Sequence, residues 1–280
     1  MKCFYHSADL DGHCSGFLVK WKHPECELIG INYGDEFPWD SIQTDETVFM
    51  VDFSLQPFEG MERLNKLCGL IWIDHHKSAI EEYNTSYKGS KNFIAGFQMS
   101  GLGACALVYN YVYPERPLPT FVKLLAEYDV WNHSDPRTLP FQYGMRQFQT
   151  DPAENLDFWD ELFDVEQVHR ITEDGNIILT HNKVENEKYI KACGFDTELD
   201  GLRCVAVNKM LTNSMLFTSV WNPDKYDAML TFGWRKGQWT VSLYTDKPDV
   251  DVSGIAKSRG GGGHKQASGF QCKELPFLMK

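Results

Sequence analysis

Aspartate and histidine stand at the ends of successive short apolar runs. The first run, Lys2 to Tyr5, leads into His6-Ser7-Ala8-Asp9-Leu10-Asp11-Gly12. Another, Thr47 to Val51, ends at Asp52, and Leu70 to Ile73 ends at Asp74-His75-His76. A further carboxylate, Asp129, follows an apolar stretch in Ala-Glu-Tyr-Asp-Val-Trp. Singly, each has an ordinary explanation, since Asp is a favoured helix N-cap and a histidine can be satisfied within a core. If the runs are parallel strands of one sheet, the same edge gathers all of them, and crowded carboxylates without a cation repel one another and resist ionisation. A divalent metal cluster resolves that repulsion. Mixed imidazole and carboxylate ligands suit Mn²⁺ or a similar ion better than thiolate-held zinc, and this many ligands are enough for two ions.

A second constellation lies near the other end, where Lys257-Ser258-Arg259 runs into Gly260-Gly261-Gly262-Gly263-His264-Lys265. Four glycines let backbone amides approach an anion without Cβ obstruction, and a helix beginning near His264 would add its N-terminal donors. Arg259, His264 and Lys265 are then the charged donors. A flexible linker is the plainer alternative, but linkers are rarely followed at once by His-Lys and a small-residue run.

The elements that must position these groups follow from hydrophobic patterning. Continuous apolar runs, as expected for parallel strands covered on both faces, occupy Lys2 to Tyr5, Glu27 to Ile31, Thr47 to Val51, Leu70 to Ile73 and Asn92 to Ala95. Helices are expected near Gly12 to Lys22, Phe58 to Leu67, Leu102 to Tyr113 and Thr120 to Glu127. This is a doubly wound α/β pattern, in which ligands bind at the carboxyl edge of the sheet. From Asp151 to Ala192 the composition turns polar and acidic, with a long helix around Asn182 to Lys191. Strand-like runs return at Leu202 to Val207, Asp227 to Phe232 and Gln238 to Tyr244, enough for a small second α/β domain.

The 280 residues carry 27 basic and 39 acidic side chains, a formal net charge of -12. Proteins that track long nucleic acid usually present a basic surface, because phosphate neutralisation supplies most of the affinity. A long polyanionic partner is therefore not expected, whereas a small phosphorylated substrate held by metals and a few local donors is. No apolar stretch approaches the roughly 18 residues of a spanning helix. The first residues lack the features of a secretory signal, so a cytoplasmic protein without a membrane partner is expected. The eight cysteines include no CxxC pair and read as reduced, mostly buried thiols.

The Asp74-His75-His76 triplet, His6 with Asp9 and Asp11, Asp52, Asp129 and the terminal Gly-Gly-Gly-Gly-His resemble the DHH/DHHA1 phosphoesterase family. Its members include nanoRNA and cyclic-dinucleotide phosphodiesterases, RecJ-type exonucleases and, more distantly, family II pyrophosphatases. The landmarks run from His6 to Phe270. The resemblance implies a catalytic metal-binding DHH domain over residues 1–150, a helical linker over 151–200 and a DHHA1-like substrate-binding domain over 201–280, with the active site in the cleft between the domains.

It also implies two divalent ions, Mn²⁺ by preference, one on His6, Asp9 and Asp52 and the other on Asp11, Asp52, His75 and Asp129, with Asp52 bridging. Asp74 then orients the neighbouring imidazoles and His76 lies near the scissile phosphate. Arg259, Gly261, Gly262, Gly263, His264 and Lys265 hold the substrate. Two departures stand out: the three-residue step from His6 to Asp9, where many members have two or four, and Tyr244, where many members carry Arg. Tyr244, like Trp131 and Tyr33, could stack on a base.

The expected activity is Mn-dependent hydrolysis of short oligonucleotides or linearised cyclic dinucleotides to nucleoside monophosphates by water activated between two metals. A pyrophosphatase or polyphosphatase stays open, as does a nucleotide-binding regulator without turnover. The partner is a short oligonucleotide or dinucleotide, and a homodimer is compatible with the sequence.

Overall fold

A computed structural model describes residues 1–87 and 93–279. The chain divides into two compact units, Met1–Leu179 and Thr180–Lys280.

In the first unit, β1 (Lys2–His6), β2 (Glu27–Ile31), β3 (Thr47–Val51) and β4 (Gly69–Ile73) form a parallel sheet in the order β2-β1-β3-β4. The helices are α1 (Leu10–Lys22), α2 (Glu59–Leu67), α3 (Lys77–Glu82), α4 (Ala104–Val112), α5 (Thr120–Asp129), α6 (Thr138–Met145) and α7 (Leu156–Glu161). Cys3, Tyr5, Phe49, Val51 and Ile73 face one core with α1, α4 and α5, while Phe4, Val48, Met50 and Trp72 face another with α2 and α3. Burial on both faces explains why these strands read as unbroken apolar runs. The connection through α1 leads outward from β1 to β2, and the one through α2 leads the other way from β3 to β4. The strand order therefore switches between β1 and β3, and ligands of open α/β sheets bind at the carboxyl ends beside such a point.

The fifth expected strand differs. Asn92 lies outside the described residues, and Ala95 and Gln98 make only isolated parallel bridges to Ile71 and Asp74. The polar stretch read as a linker over 151–200 also differs, because the boundary between units falls inside a 29-residue helix, α8 (Val165–Cys193). Phe158, Trp159, Leu162, Val168 and Ile171 are buried with α1 and α5, which ties this stretch to the first core despite its acidic outer surface.

The second unit carries β5 (Phe195–Leu199), β6 (Leu202–Asn208), β7 (Ala228–Arg235), β8 (Gln238–Tyr244), α9 (Val252–Lys257), β9 (Gly262–Gly263) and β10 (Ala267–Cys272). They make a mixed sheet in the order β5-β6-β7-β8-β10-β9, with only β6 and β7 parallel. Val252 and Ala256 of α9 pack on one face with Phe270. Ile190 of α8 covers the other with Val205 and Met229. The helix expected to begin near His264 is absent. His264 N–H donates to the Ala267 carbonyl at 2.7 Å, closing a tight turn into β10. There Ser268 and Phe270 alternate inward with period two, a strand signal that outweighs the small residues. No helix among the described residues is long and apolar enough to cross a membrane.

Candidate metal centre

The carboxyl ends of β1, β3 and β4 each deliver an ionisable side chain to one place. His6 is the last residue of β1. Asp9 caps α1, its Oδ1 accepting from Gly12 N–H at 2.9 Å while its Oδ2 lies 2.8 Å from His6 Nδ1. A Cβ at position 12 would stand 2.0 Å from the His6 carbonyl oxygen, so only glycine lets α1 begin this close to the strand. Asp11, nearly fully buried, accepts the backbone N–H groups of Ala104 and Cys105 at 2.6 and 2.8 Å, which fixes the start of α4 against the site. A carboxylate at a helix N-terminus is favoured by the helix dipole.

Asp52 follows β3 with φ at +55°, a left-handed conformation that Asp adopts more readily than most residues. Its carboxylate is 1% exposed. One oxygen lies 3.6 Å from His6 Nδ1, and the other 3.3 Å from His75 Nε2 and 3.8 Å from His76 Nδ1. Asp129, the last residue of α5 rather than a residue beyond it, reaches within 3.1 Å of His75 Nε2. Asp11 is 3.8 Å from the same nitrogen.

Asp74 is fully buried, and its Oδ1 accepts from the backbone N–H groups of His75 and His76 at 2.7 and 3.1 Å. The same oxygen stands 2.7 Å from His76 Nδ1, which places the ring proton there and turns Nε2 away from Asp74.

Three overlapping groups result: His6, Asp9 and Asp52; Asp52, His75 and His76; and Asp11, His75 and Asp129, with the ligand atoms in each within 4.8 Å of one another. All six residues expected to bind metal are brought together, with Asp52 and His75 shared between groups. His76, expected near the phosphate, joins a group as well. His6 Nδ1 and Asp52 Oδ1 are buried and make no well-aligned hydrogen bond among the described residues, although they lie 2.8 and 3.3 Å from Asp9 Oδ2 and His75 Nε2. Such atoms are costly unless something satisfies them. An oxygen and imidazole donor set without thiolate fits hard divalent cations.

Electrostatics agree. Burial opposes charge on His6, yet Asp52 and Asp9 hold its ring up at about 10. Burial likewise opposes charge on His75, which Asp52, Asp11 and Asp129 hold at about 10. Burial and the Asp52 charge push Asp11 to about 7, and burial and Asp11 push Asp129 to about 7. Both shifts give the metal-free fold one pH dependence. The two imidazoliums stabilise it fully below 6.5, and that contribution is lost as pH rises toward 10. Raised carboxyls favour the protonated fold below 3.8, and that advantage is lost as pH rises through 7. The chelated protein should therefore melt at a lower temperature at pH 8 than at pH 6. Mn²⁺ should raise the melting temperature on the order of 5 °C, and by more at pH 8. Thermal melts with EDTA and with Mn²⁺ at both pH values check this, and indifference to metal at both would remove the case for a cluster.

Two further residues beside the cluster carry little sequence signal. Gly12, signalled only by Asp-Gly at a strand end, sets the approach of α1. Phe53, next to Asp52, sits with its ring centroid 6.0 Å from that of His6 and 4.6 Å from that of Tyr33. Of the expected stacking residues, Tyr33 is half exposed and its centroid lies 5.8 Å from that of His6. Trp131 is half exposed with φ at +54° and packs on His133.

The glycine-rich stretch belongs to the second unit. Arg259 makes a two-pronged ion pair with Asp200 at 2.8 and 2.7 Å. A Cβ on Gly261 would lie 2.1 Å from the Gly269 carbonyl oxygen, so this glycine is required for close approach to β10. Gly262 and Gly263 form β9 on that edge, and a Cβ on Gly262 would meet nothing within 4 Å. Lys265 Nζ donates to the Pro248 carbonyl at 2.6 Å. Tyr244 does not present a free hydroxyl, because it donates to the Thr212 carbonyl at 3.1 Å. The cysteines are free thiols, with Cys3, Cys14, Cys26, Cys68, Cys105 and Cys204 buried.

No family model matches the chain. It is 28% identical over 295 aligned positions to the uncharacterized protein R106 of Acanthamoeba polyphaga mimivirus, across 95% of this chain and 66% of that one. The chain thus spans just under two thirds of the length of that relative. It is 27% identical over 299 positions to the oligoribonuclease NrnB of Bacillus subtilis, across 95% of this chain and 71% of NrnB. The solved structure of PggH, a pGpG-specific phosphodiesterase from Vibrio cholerae, covers 96% of this chain and 92% of its own with a TM-score of 0.55 at 13% identity. That likeness shows the shared α/β fold.

Proposed function

We propose that the chain is a metal-dependent phosphodiesterase of the DHH/DHHA1 type that hydrolyses short oligonucleotides or linearised cyclic dinucleotides to nucleoside monophosphates, a reading supported by its similarity to NrnB and by the fold it shares with PggH. The observation that carries this reading is the set of overlapping ligand groups joined through Asp52 and His75 at the switch point of a parallel sheet. His6, Asp9 and Asp52 would hold one divalent ion and Asp11, Asp52, His75 and Asp129 the other, with Mn²⁺ the preferred metal. Bound there, two such ions lower the pKa of a water to near neutrality and offset charge on the phosphoryl oxygens.

The chain's own residues supply the rest. Asp74 locks the His76 ring with Nδ1 protonated. Burial opposes charge on that ring, yet in the metal-free protein Asp74 holds it up at about 9. His76 can then stabilise a phosphoryl oxygen or give its outward Nε2 proton to the leaving oxygen. In the second unit, the open backbone at Gly262, bordered by Gly261, Gly263, His264 and Lys265, is our place for a second phosphate, and Arg259 joins it by exchanging Asp200 for the anion.

The short substrate is supported by two facts. NrnB is named an oligoribonuclease and PggH a phosphodiesterase of the dinucleotide pGpG, and a net charge of -12 repels a long polyanion. Product analysis with Mn²⁺ tests it, using a dinucleotide, a five-nucleotide RNA, a cyclic dinucleotide and pyrophosphate side by side. Release of mononucleotides from the short linear substrates is expected. Orthophosphate from pyrophosphate alone would make the protein a pyrophosphatase, and no product from any of the four would leave a binding protein.

A further inference from the structure

Beside the metal centre, the first unit contains a pocket of about 370 Å³. It is framed by the turn after β2, the stretch Phe53 to Pro57 after β3, and the first turns of α2. Its walls are aromatic. Tyr33 and Phe53 form one side, with centroids 4.6 Å apart, and both rings sit about as close to the His6 ring, at 5.8 and 6.0 Å. Phe37 and Trp39 pack together at 4.7 Å, and the Arg63 guanidinium lies 3.9 Å over the Trp39 ring.

We propose that this pocket is a nucleobase subsite, holding the base next to the phosphodiester that the cluster cleaves. The proposal rests on the phosphodiesterase reading and adds which part of the substrate is recognised, and by what. Three observations lead to it. Tyr33 and Phe53, which line the pocket, are also the rings that pack beside His6, so a ligand in it lies next to the cluster. Its size is that of a small-ligand site, and its flat aromatic walls suit a planar heterocycle.

Its charge disfavours the phosphate of a nucleotide. Arg63 is the one cation among the described lining residues, against Asp35 and Glu59, so a phosphate is disfavoured while an uncharged base is not. The Gln56 amide, the Arg63 guanidinium and the Glu59 carboxylate offer donors and acceptors to a base edge. Base stacking on aromatic side chains tolerates any base, so selection among bases falls to those edge groups.

The test compares kcat/KM for a 5′-phosphorylated dinucleotide with that for the same molecule made abasic. Wild-type protein should prefer the natural substrate. Tyr33→Ala should shrink that preference about tenfold through KM, and Tyr33→Phe, which keeps the ring, should restore it. Equal losses on both substrates would show that Tyr33 acts on the cluster through His6, and an unchanged preference would show that the pocket takes no base. Either overturns the proposal.

A second readout is independent of turnover. Saturation-transfer NMR of AMP with the protein in EDTA should mark the base protons more strongly than the ribose protons, with the signal lost in Tyr33→Ala and unaffected by excess ribose 5-phosphate. If neither substrate is hydrolysed but AMP shows this pattern, the phosphodiesterase reading fails while the pocket stands. Absence of transfer to the base overturns the pocket itself.

Discussion

Asp52→Asn is expected to lower kcat/KM by roughly a thousandfold or more while making the metal-free protein more resistant to heat. Both effects have one origin. Asp52 is buried and takes part in two of the three ligand groups, so the loss of its charge weakens both ion positions at once. In the absence of metal the net effect of that charge is a burden, because burial and Asp9 outweigh its attraction to the His6 and His75 rings. Burial and the neighbouring Asp9 push the Asp52 carboxyl upward, and Asp52 in turn helps to push Asp11 upward. A neutral isostere relieves both.

Asparagine tolerates the left-handed backbone at this position about as well as aspartate, so the fold should not be the casualty. Metal content after dialysis, activity and an EDTA melt together check the outcome. Full activity with two bound ions would show that Asp52 is not shared between two ion positions. Loss of activity accompanied by a lower metal-free melting temperature would mean a structural carboxylate instead. Asp129→Asn touches a single group, so a smaller loss is expected there.

The difference between what the chain discloses and what only the fold discloses lies mainly in sequence separation. β1, β3 and β4 were legible because each is covered on both faces and reads as an unbroken apolar run, and because His6, Asp52 and Asp74 follow directly at the carboxyl ends. Their convergence follows from parallel order alone. Asp11 also serves as the anchor for the start of α4, but that contact spans 93 residues and leaves no local trace. Asp129, expected after its helix, instead closes it, since a polar residue at an apolar helix end has the same pattern inside or outside the last turn.

The acidic stretch after Asp151 looked like a linker because charge dominates its composition. A few apolar residues, such as Trp159 and Ile171, were enough to bury one face of it. The glycine run is ambiguous for a physical reason. Backbone stripped of Cβ atoms permits close approach by an anion or by a neighbouring strand, and here the Gly269 carbonyl oxygen takes that space beside Gly261. The aromatic pocket was foreshadowed by Tyr33 alone, because its walls come from segments that are adjacent only once β1 stands between β2 and β3.

Asp74→Asn is expected to reduce kcat about a hundredfold or more with metal content unchanged, although Asp74 belongs to none of the three ligand groups among the described residues. Its Oδ1 gathers two backbone donors and the His76 ring nitrogen, whereas its Oδ2 is buried without a partner among the described residues. An asparagine carbonyl oxygen can take over the backbone donors, so His75 and the metal ligands should hold their positions. What is lost is the negative charge behind His76. With the chief attraction opposing burial gone, the ring pKa falls, so the variant ring gives up its proton at lower pH than the wild-type ring. The basic limb of the pH–rate profile should move to lower pH, with activity recovering in part as pH is lowered. If Asp74 merely supported the backbone, the loss would be uniform across pH. If it ruled the metal ligands, activity and bound metal would fall together. A limb that moves while two ions remain bound is the outcome that assigns the proton to His76 and its control to Asp74.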